Sequence, residues 1–242
     1  MMTRFIALIS GKGGVGKTTS AINIGQALLK LNRSVTVLDA NLMTPNLATH
    51  LGFVDPPATL NQFLRQEKEL HEIMYVHSSG LQIIPASTSY EEFRNTNPQQ
   101  LVEIFEHLDN SSEFVLVDTP SGLGEEISQV LKNTDEALIV VNPNLSSVMD
   151  SLKSIELARE HNNIISGILL NMANNGRHEL KAAEIEAILH SPVIGRVKFD
   201  RKIKKSLHQG LPLNHAYPYS RSAKEFKRAA DYLCKYLQVN PD

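Results

Sequence analysis

One cysteine, no tryptophan and no long apolar run remove several functions from consideration in this chain of 242 residues. Cys234 stands alone, so no intrachain disulfide can form. The nine histidines are scattered without the spacing of metal ligands, and no transition-metal site is expected. There is no Gly-x-Ser-x-Gly elbow and no nucleophilic triad. Residues 1–10 hold too short an apolar stretch for a secretory signal. No apolar run approaches the roughly 20 residues needed to span a bilayer. Internal repeats, low-complexity tracts and linker-like stretches are also missing. Composition is ordinary, at 42% hydrophobic and 21% charged residues. Length and composition together predict one cytoplasmic α/β domain over residues 1–242 with a substantial core.

What the chain does have is a glycine loop. Ser10-Gly11-Lys12-Gly13-Gly14-Val15-Gly16-Lys17-Thr18-Thr19 matches the phosphate-loop pattern G-x-x-x-x-G-K-[ST] at every fixed position. It follows the apolar run Phe5 to Ile9, which reads as a buried strand. It precedes Thr18 to Leu31, where Ala21, Ile24, Gly25, Leu28 and Leu29 recur at helical spacing. The glycines permit close backbone approach, and the amides with the helix N-terminus present partial positive charge to an anion. Lys17 is placed to reach outer phosphates and the Thr18 hydroxyl to ligate magnesium.

The remainder alternates apolar runs with helical patterns. Runs at 35–38, 81–84, 114–117, 137–141, 164–170 and 193–197 read as strands, and 98–109, 125–133, 147–161 and 179–190 as helices. That alternation predicts a mostly parallel sheet with helices on both faces, its ligand at the carboxyl ends of the strands. Net charge is −2, but unevenly spread: residues 196–242 carry 11 basic and 4 acidic residues, +7. This basic fifth is either a solvated helix face or a weak contact for nucleic acid or an anionic membrane surface. Arg196, Lys198, Arg201, Lys202, Lys204 and Lys205 form its densest cluster.

Lys12, directly after the first glycine, gives GKGGVGKTT a resemblance to the deviant phosphate loop of the MinD/ParA family of ATPases. The resemblance implies ATP and ADP as nucleotides, Mg2+ as metal, and an ATP-dependent homodimer in which Lys12 enters the partner's site. It implies a first switch region at Leu38 to Leu47, where Asp39 and Asn46 match and Asn41 replaces a second aspartate that helps position the attacking water. Val115 to Asp118 resembles a Walker B strand, with Asp118 at the magnesium shell, and Ser121-Gly122-Leu123-Gly124 resembles the second switch. The resemblance thus gives Thr18, Asp39 and Asp118 as the metal set and Lys12, Lys17, Asp39 and Asn41 as the catalytic set. Asn171 stands where the family places an asparagine against adenine, while Lys198 replaces a common proline.

The segment Asn142 to Ser151 resembles MinD specifically. There Asp150 faces the dimer and partner surface, or belongs with Ser147 to a helix-capping box. The likeness runs from Arg4 to about Leu237 and is nearest the compact MinD-like proteins of archaea. The five residues after Leu237 are too few for a membrane-targeting helix. Iron–sulfur scaffold ATPases of the same wider fold use paired or interface cysteines, which Cys234 alone does not supply. The resemblance implies a slow ATPase acting in cell division or other spatial organisation, with an unidentified activating partner and a place at membrane or nucleoid. A DNA-binding partition ATPase and a nucleotide-gated scaffold that barely hydrolyses are the alternatives.

Overall fold

Eight strands form one sheet in the computed structural model, which describes residues 2–174 and 176–239. They are β1 (Arg4–Ile9), β2 (Val35–Asp39), β3 (Tyr75–Val76), β4 (Gln82–Ile84), β5 (Phe114–Asp118), β6 (Glu136–Val141), β7 (Ile164–Ala173) and β8 (Val193–Lys198). Their spatial order is β3-β4-β2-β5-β1-β6-β7-β8. Every pairing is parallel except β3 with β4. The expected parallel sheet is therefore present, with the two-residue β3 added at one edge.

The central strands are apolar throughout because both faces are covered. In β1, Phe5, Ala7 and Ile9 enter one core, against helices Leu101–Leu108, Glu125–Lys132, Leu145–Glu160 and Ala182–Leu189. Ile6 and Leu8 enter the other, against helices Lys17–Lys30 and Arg221–Val239. The expected apolar face of the last helix holds for Ala223, Phe226, Ala230 and Leu233, all buried. Leu237 on that face, and residues 240–242 beyond it, lie outside the residues whose side chains are described. Short helices at Leu47–His50, Leu60–Leu64, Leu70–Ile73, Tyr90–Arg94 and Leu213–Ala216 carry too few residues to show a period, so no pattern announced them. No helix among the described residues is long and apolar enough to cross a membrane.

A buried ion pair fastens the amino ends of the strands. The Arg4 Nε donates to Glu136 Oε1 at 2.6 Å, and Nη1 donates to the Leu233 carbonyl at 2.7 Å. The Arg4 guanidinium also lies 5.1 Å from the Phe114 ring centroid. Ser166 donates to the other carboxylate oxygen of Glu136. One cluster thus ties β1, β6, β7 and the last helix together. Removing one partner of such a pair strands a charge in the core and costs about 3–5 kcal/mol. Arg4→Ala is expected to lower the urea midpoint accordingly, whereas Arg4→Met with Glu136→Leu should recover most of the loss. Equal destabilisation by the single and double variants would show that packing, not charge, governs this site.

Candidate functional site

The glycine loop sits at the carboxyl end of β1, between β5 and β6. The helix after it begins at Lys17, with Gly16 in the left-handed region at φ 96°. The turn needs that conformation, and a side chain would also collide there. A Cβ on Gly16 would lie 2.2 Å from Asn171 Nδ2, and one on Gly11 2.3 Å from the backbone of Asp150. The loop is therefore pressed between β7 and helix Leu145–Glu160, and glycine is what fits.

The charged groups of the loop are held by neighbours. Lys17 is buried, and its Nζ donates to Ser10 Oγ at 3.0 Å. Ser10 in turn donates to the Lys12 carbonyl at 2.7 Å. Burial lowers the Lys17 pKa, against the opposing attraction of Asp118. Lys12 points along the surface. Its Nζ donates to Ser146 Oγ at 2.5 Å and lies 3.2 Å from Asp150 Oδ2. Asn144, not Ser147, caps this helix, since its side chain accepts from the Ser147 amide at 2.9 Å. Ser147 Oγ instead accepts from the Asn142 amide at 3.2 Å, so Asp150 has no capping function and is the Lys12 partner.

Two carboxylates meet beside the loop. Asp39 and Asp118 end adjacent strands and are direct register partners. Thr18 Oγ1 donates to Asp118 Oδ2 at 2.5 Å, while Asp118 Oδ1 is buried with no hydrogen-bond partner. That free carboxylate oxygen beside a hydroxyl is an all-oxygen donor set, the kind magnesium takes. Asp39 is placed differently. It accepts the Asn41 amide at 3.2 Å, the Asn46 amide at 3.1 Å and the Leu47 amide at 3.0 Å. Both its oxygens hold the loop that follows β2. Asn41 is equally engaged: its side-chain oxygen accepts the Thr44 amide at 3.1 Å, and Nδ2 donates to the Thr44 carbonyl at 2.9 Å.

Burial pushes the Asp118 carboxyl up to about 6, against the lowering effects of the Thr18 hydroxyl and Lys17. Burial and the neighbouring Asp118 raise Asp39 well above the carboxylate range.

Asn171 also supports the loop. It is buried, and Nδ2 donates to the Val15 carbonyl at 2.7 Å; its own carbonyl accepts from Asn142 Nδ2 at 3.0 Å. One N–H of that side chain is thus given to the loop. Beside it a recess of about 170 Å³ is lined by Thr19, Met172, Lys198, Phe199, Ile203, Lys204 and Leu207. Lys204 stands 5.6 Å from the Phe199 ring centroid. Two lysines of the expected basic cluster therefore line this recess. Ser10 and Ser146 were missed from sequence although they flank or face residues already singled out, because a serine carries no pattern of its own. The Lys204–Phe199 pairing crosses a helix start and had no sequence signal.

Comparison with known proteins agrees with this geometry. The ParA family model, described as NUBPL iron-transfer P-loop NTPase, matches residues 1–234. An uncharacterized ATP-binding protein of Methanocaldococcus jannaschii is 36% identical over 95% of this chain and 87% of its own length. Among solved structures, the septum site-determining protein MinD of Pyrococcus horikoshii, complexed with Mg-ADP, superposes with a TM-score of 0.93. It is 28% identical and covers 98% of both chains. The MinC:MinD complex of Aquifex aeolicus gives a TM-score of 0.86 at 26% identity, over 96% of each chain.

The strained carboxylate gives a measurable pH dependence. In magnesium-free buffer, unfolded Asp118 ionises near 3.8 but the folded group only near 6. Folding therefore favours the protonated form, and its stabilising contribution is lost as pH rises from about 4 to 6. Asp118→Asn should flatten that part of the urea-unfolding profile and make the ligand-free protein more stable at pH 7. A profile unchanged by the substitution would remove the strain from the account.

Proposed function

Because the chain belongs to the ParA family of P-loop NTPases, we propose that it is an ATP-dependent dimerising switch of the MinD type, with slow hydrolysis. The observation that carries this reading is the convergence of Lys17, Thr18 and the unpartnered Asp118 oxygen on one glycine loop. The amides of Gly13 to Thr19 and the helix N-terminus bind the phosphates of ATP or ADP. Lys17, whose Nζ is held by Ser10 Oγ, turns to the outer phosphates. Thr18 and Asp118 hold Mg2+, which neutralises charge on the phosphates when bound. The purine lies in the recess by Asn171 and Phe199. Iron transfer, named in the family's description, is not part of the reading, since Cys234 is the single cysteine.

Chemistry of this kind depends on positioning and charge neutralisation. Asp39 fixes the first switch through three amides, beside the phosphates. Asn41 can orient a water but cannot take its proton, and its amide is already closed on Thr44. That clasp supports slow turnover and keeps the nucleotide-gated scaffold as the second reading. Lys12, held by Ser146 and Asp150 at the surface, leaves them for the nucleotide of a second copy. An exposed pair of this kind is worth about 1 kcal/mol or less, so it yields readily to a phosphate. The MinD of Aquifex aeolicus was solved with MinC; an unidentified activating partner is proposed for this chain, at a cytoplasmic surface.

Lys17→Ala removes a charged hydrogen-bond donor worth about 1.5–3 kcal/mol. Calorimetry should therefore show Mg-ADP affinity reduced about 10–100-fold. Unchanged affinity would defeat the phosphate-loop reading. Lys12→Ala should leave that affinity intact but abolish the ATP-dependent dimer in light scattering.

Restoring the carboxylate in Asn41→Asp should raise basal ATPase at saturating ATP and magnesium, with ATP affinity little changed. General-base effects are typically ~10²–10⁴-fold. A loose transition state places the gain at or below the small end of that range. A variant no faster than the parent would move the rate limit to dimer closure or to a missing partner.

A further inference from the structure

Away from the glycine loop, a recess of about 220 Å³ opens between the first helix, Leu213–Ala216 and the last helix. Its charged lining is three lysines, Lys30, Lys224 and Lys227, and no carboxylate. Among the described residues none of the three is in an ion pair. Lys30 donates to the Asn214 carbonyl, which draws its ammonium in across the recess. Burial lowers its pKa, the mark of a cation short of compensation.

The placement of the other two lysines also runs against helix electrostatics. A helix N-terminus carries partial positive charge and favours acidic residues in its first turn. The last helix begins at Arg221 with no acidic residue in its first turn; Lys224 and Lys227 follow within two turns, and Glu225 between them is engaged by the Arg196 amide at 2.9 Å. Three cations therefore line one concavity, beside a helix start whose Ala223 amide is already held by Ser220 Oγ at 3.1 Å. Breaches of a local rule tend to fall at functional sites, where something else offsets them. An anion seated among the three ammonium groups would do so. Ala27, Asn214, Pro218 and Ala223 complete the lining and leave room for a compact head, not a nucleotide.

We propose that the Lys30–Lys224–Lys227 recess binds a phosphate group, either of a small phosphate ester or of a phospholipid head. The recess shares no residue with the glycine loop, so this inference stands apart from the nucleotide-switch reading. Three ammonium donors suit the tetrahedral dianion as point charges.

The test is a residue-resolved NMR titration of the full chain with inorganic phosphate, at fixed ionic strength. Amides of Asn214, Ala223, Lys224 and Lys227 should shift and saturate, separately from any response of Gly13 to Thr18. Lys30→Gln with Lys224→Gln and Lys227→Gln should weaken this saturation at least tenfold. Lys227→Gln alone should weaken it partly, and Arg201→Gln with Lys205→Gln, equally exposed cations elsewhere, should leave it unchanged. A parallel arm sediments the protein with phosphatidylcholine vesicles with and without phosphatidylglycerol. Loss of both phosphate saturation and anionic-vesicle binding in the triple variant identifies a lipid head. Loss of phosphate saturation alone identifies a soluble ester. Shifts that do not saturate, or that survive in the triple variant, overturn the proposal. A nucleotide affinity that falls with Lys17→Ala but not with the triple variant keeps the two sites distinct.

Discussion

The register of three parallel strands is the constraint on which the site depends. Leu8 pairs with Asp118 and Asp118 with Asp39, so β5 and β2 end level with one another and β1 runs one residue further. A slip of one residue would turn Asp118 into a core face and bring Thr119 into its place. Level strand ends bring two carboxylates together away from water, where burial raises the pKa of both and the Asp118 charge raises Asp39 further. The fold tolerates this because each acid is compensated differently. Asp39 is satisfied by three loop amides. Asp118 has one hydroxyl and one open oxygen. The two acids differ accordingly: one shapes a loop and the other keeps an unpartnered oxygen.

Close backbone approach is the second consequence of the same packing. Gly11 abuts Asp150 and Gly16 abuts Asn171, so the loop is gripped from the helix side and from β7. The loop is thereby preorganised, and less ordering remains to be done when phosphates bind. The same contact brings Lys12 over the helix that carries Ser146 and Asp150. A lysine that the loop alone would leave mobile has a defined resting place.

The strand–loop–helix unit was legible because its signals are local: an apolar run, glycines at fixed spacing and a helical period. The sheet was legible for the same reason, since Val115 to Asp118 and Ile168 to Asn171 each read as an apolar run closed by a polar residue. The division between Asp39 and Asp118 was not. Both read as aspartates at strand ends, and only the path of residues 40–47 shows that Asp39 receives that loop's amides. Asn171 shows the same limit. Its identity fitted a base contact, and the structure adds a bond to the Val15 carbonyl, a partner 156 positions away in sequence. The helix 147–161 was expected slightly late because Ser147 mimics a cap; the real cap, Asn144, lies one turn earlier.

The first helix joins the glycine loop to the lysine recess, and its packing decides how the two ends communicate. Lys17 opens it and Lys30 closes it, about 20 Å apart at 1.5 Å per residue. Between them Thr19 to Leu28 are buried, with Gly25 set tightly against Val37 and Leu81. A rod so enclosed has no second arrangement to adopt, because close-packed interiors do not deform continuously. Coupling between two sites needs an element with two states that both can bias. The buried contacts of this helix give it a single packing here, so the two ends are expected to act independently. The elements free to differ are the exposed ones at the other side of the loop: Met43 after β2, Leu123 before helix Glu125–Lys132, and Leu145 with Met149 on the helix that holds Lys12. Those apolar side chains are exposed beyond the carboxyl ends of β2, β5 and β6.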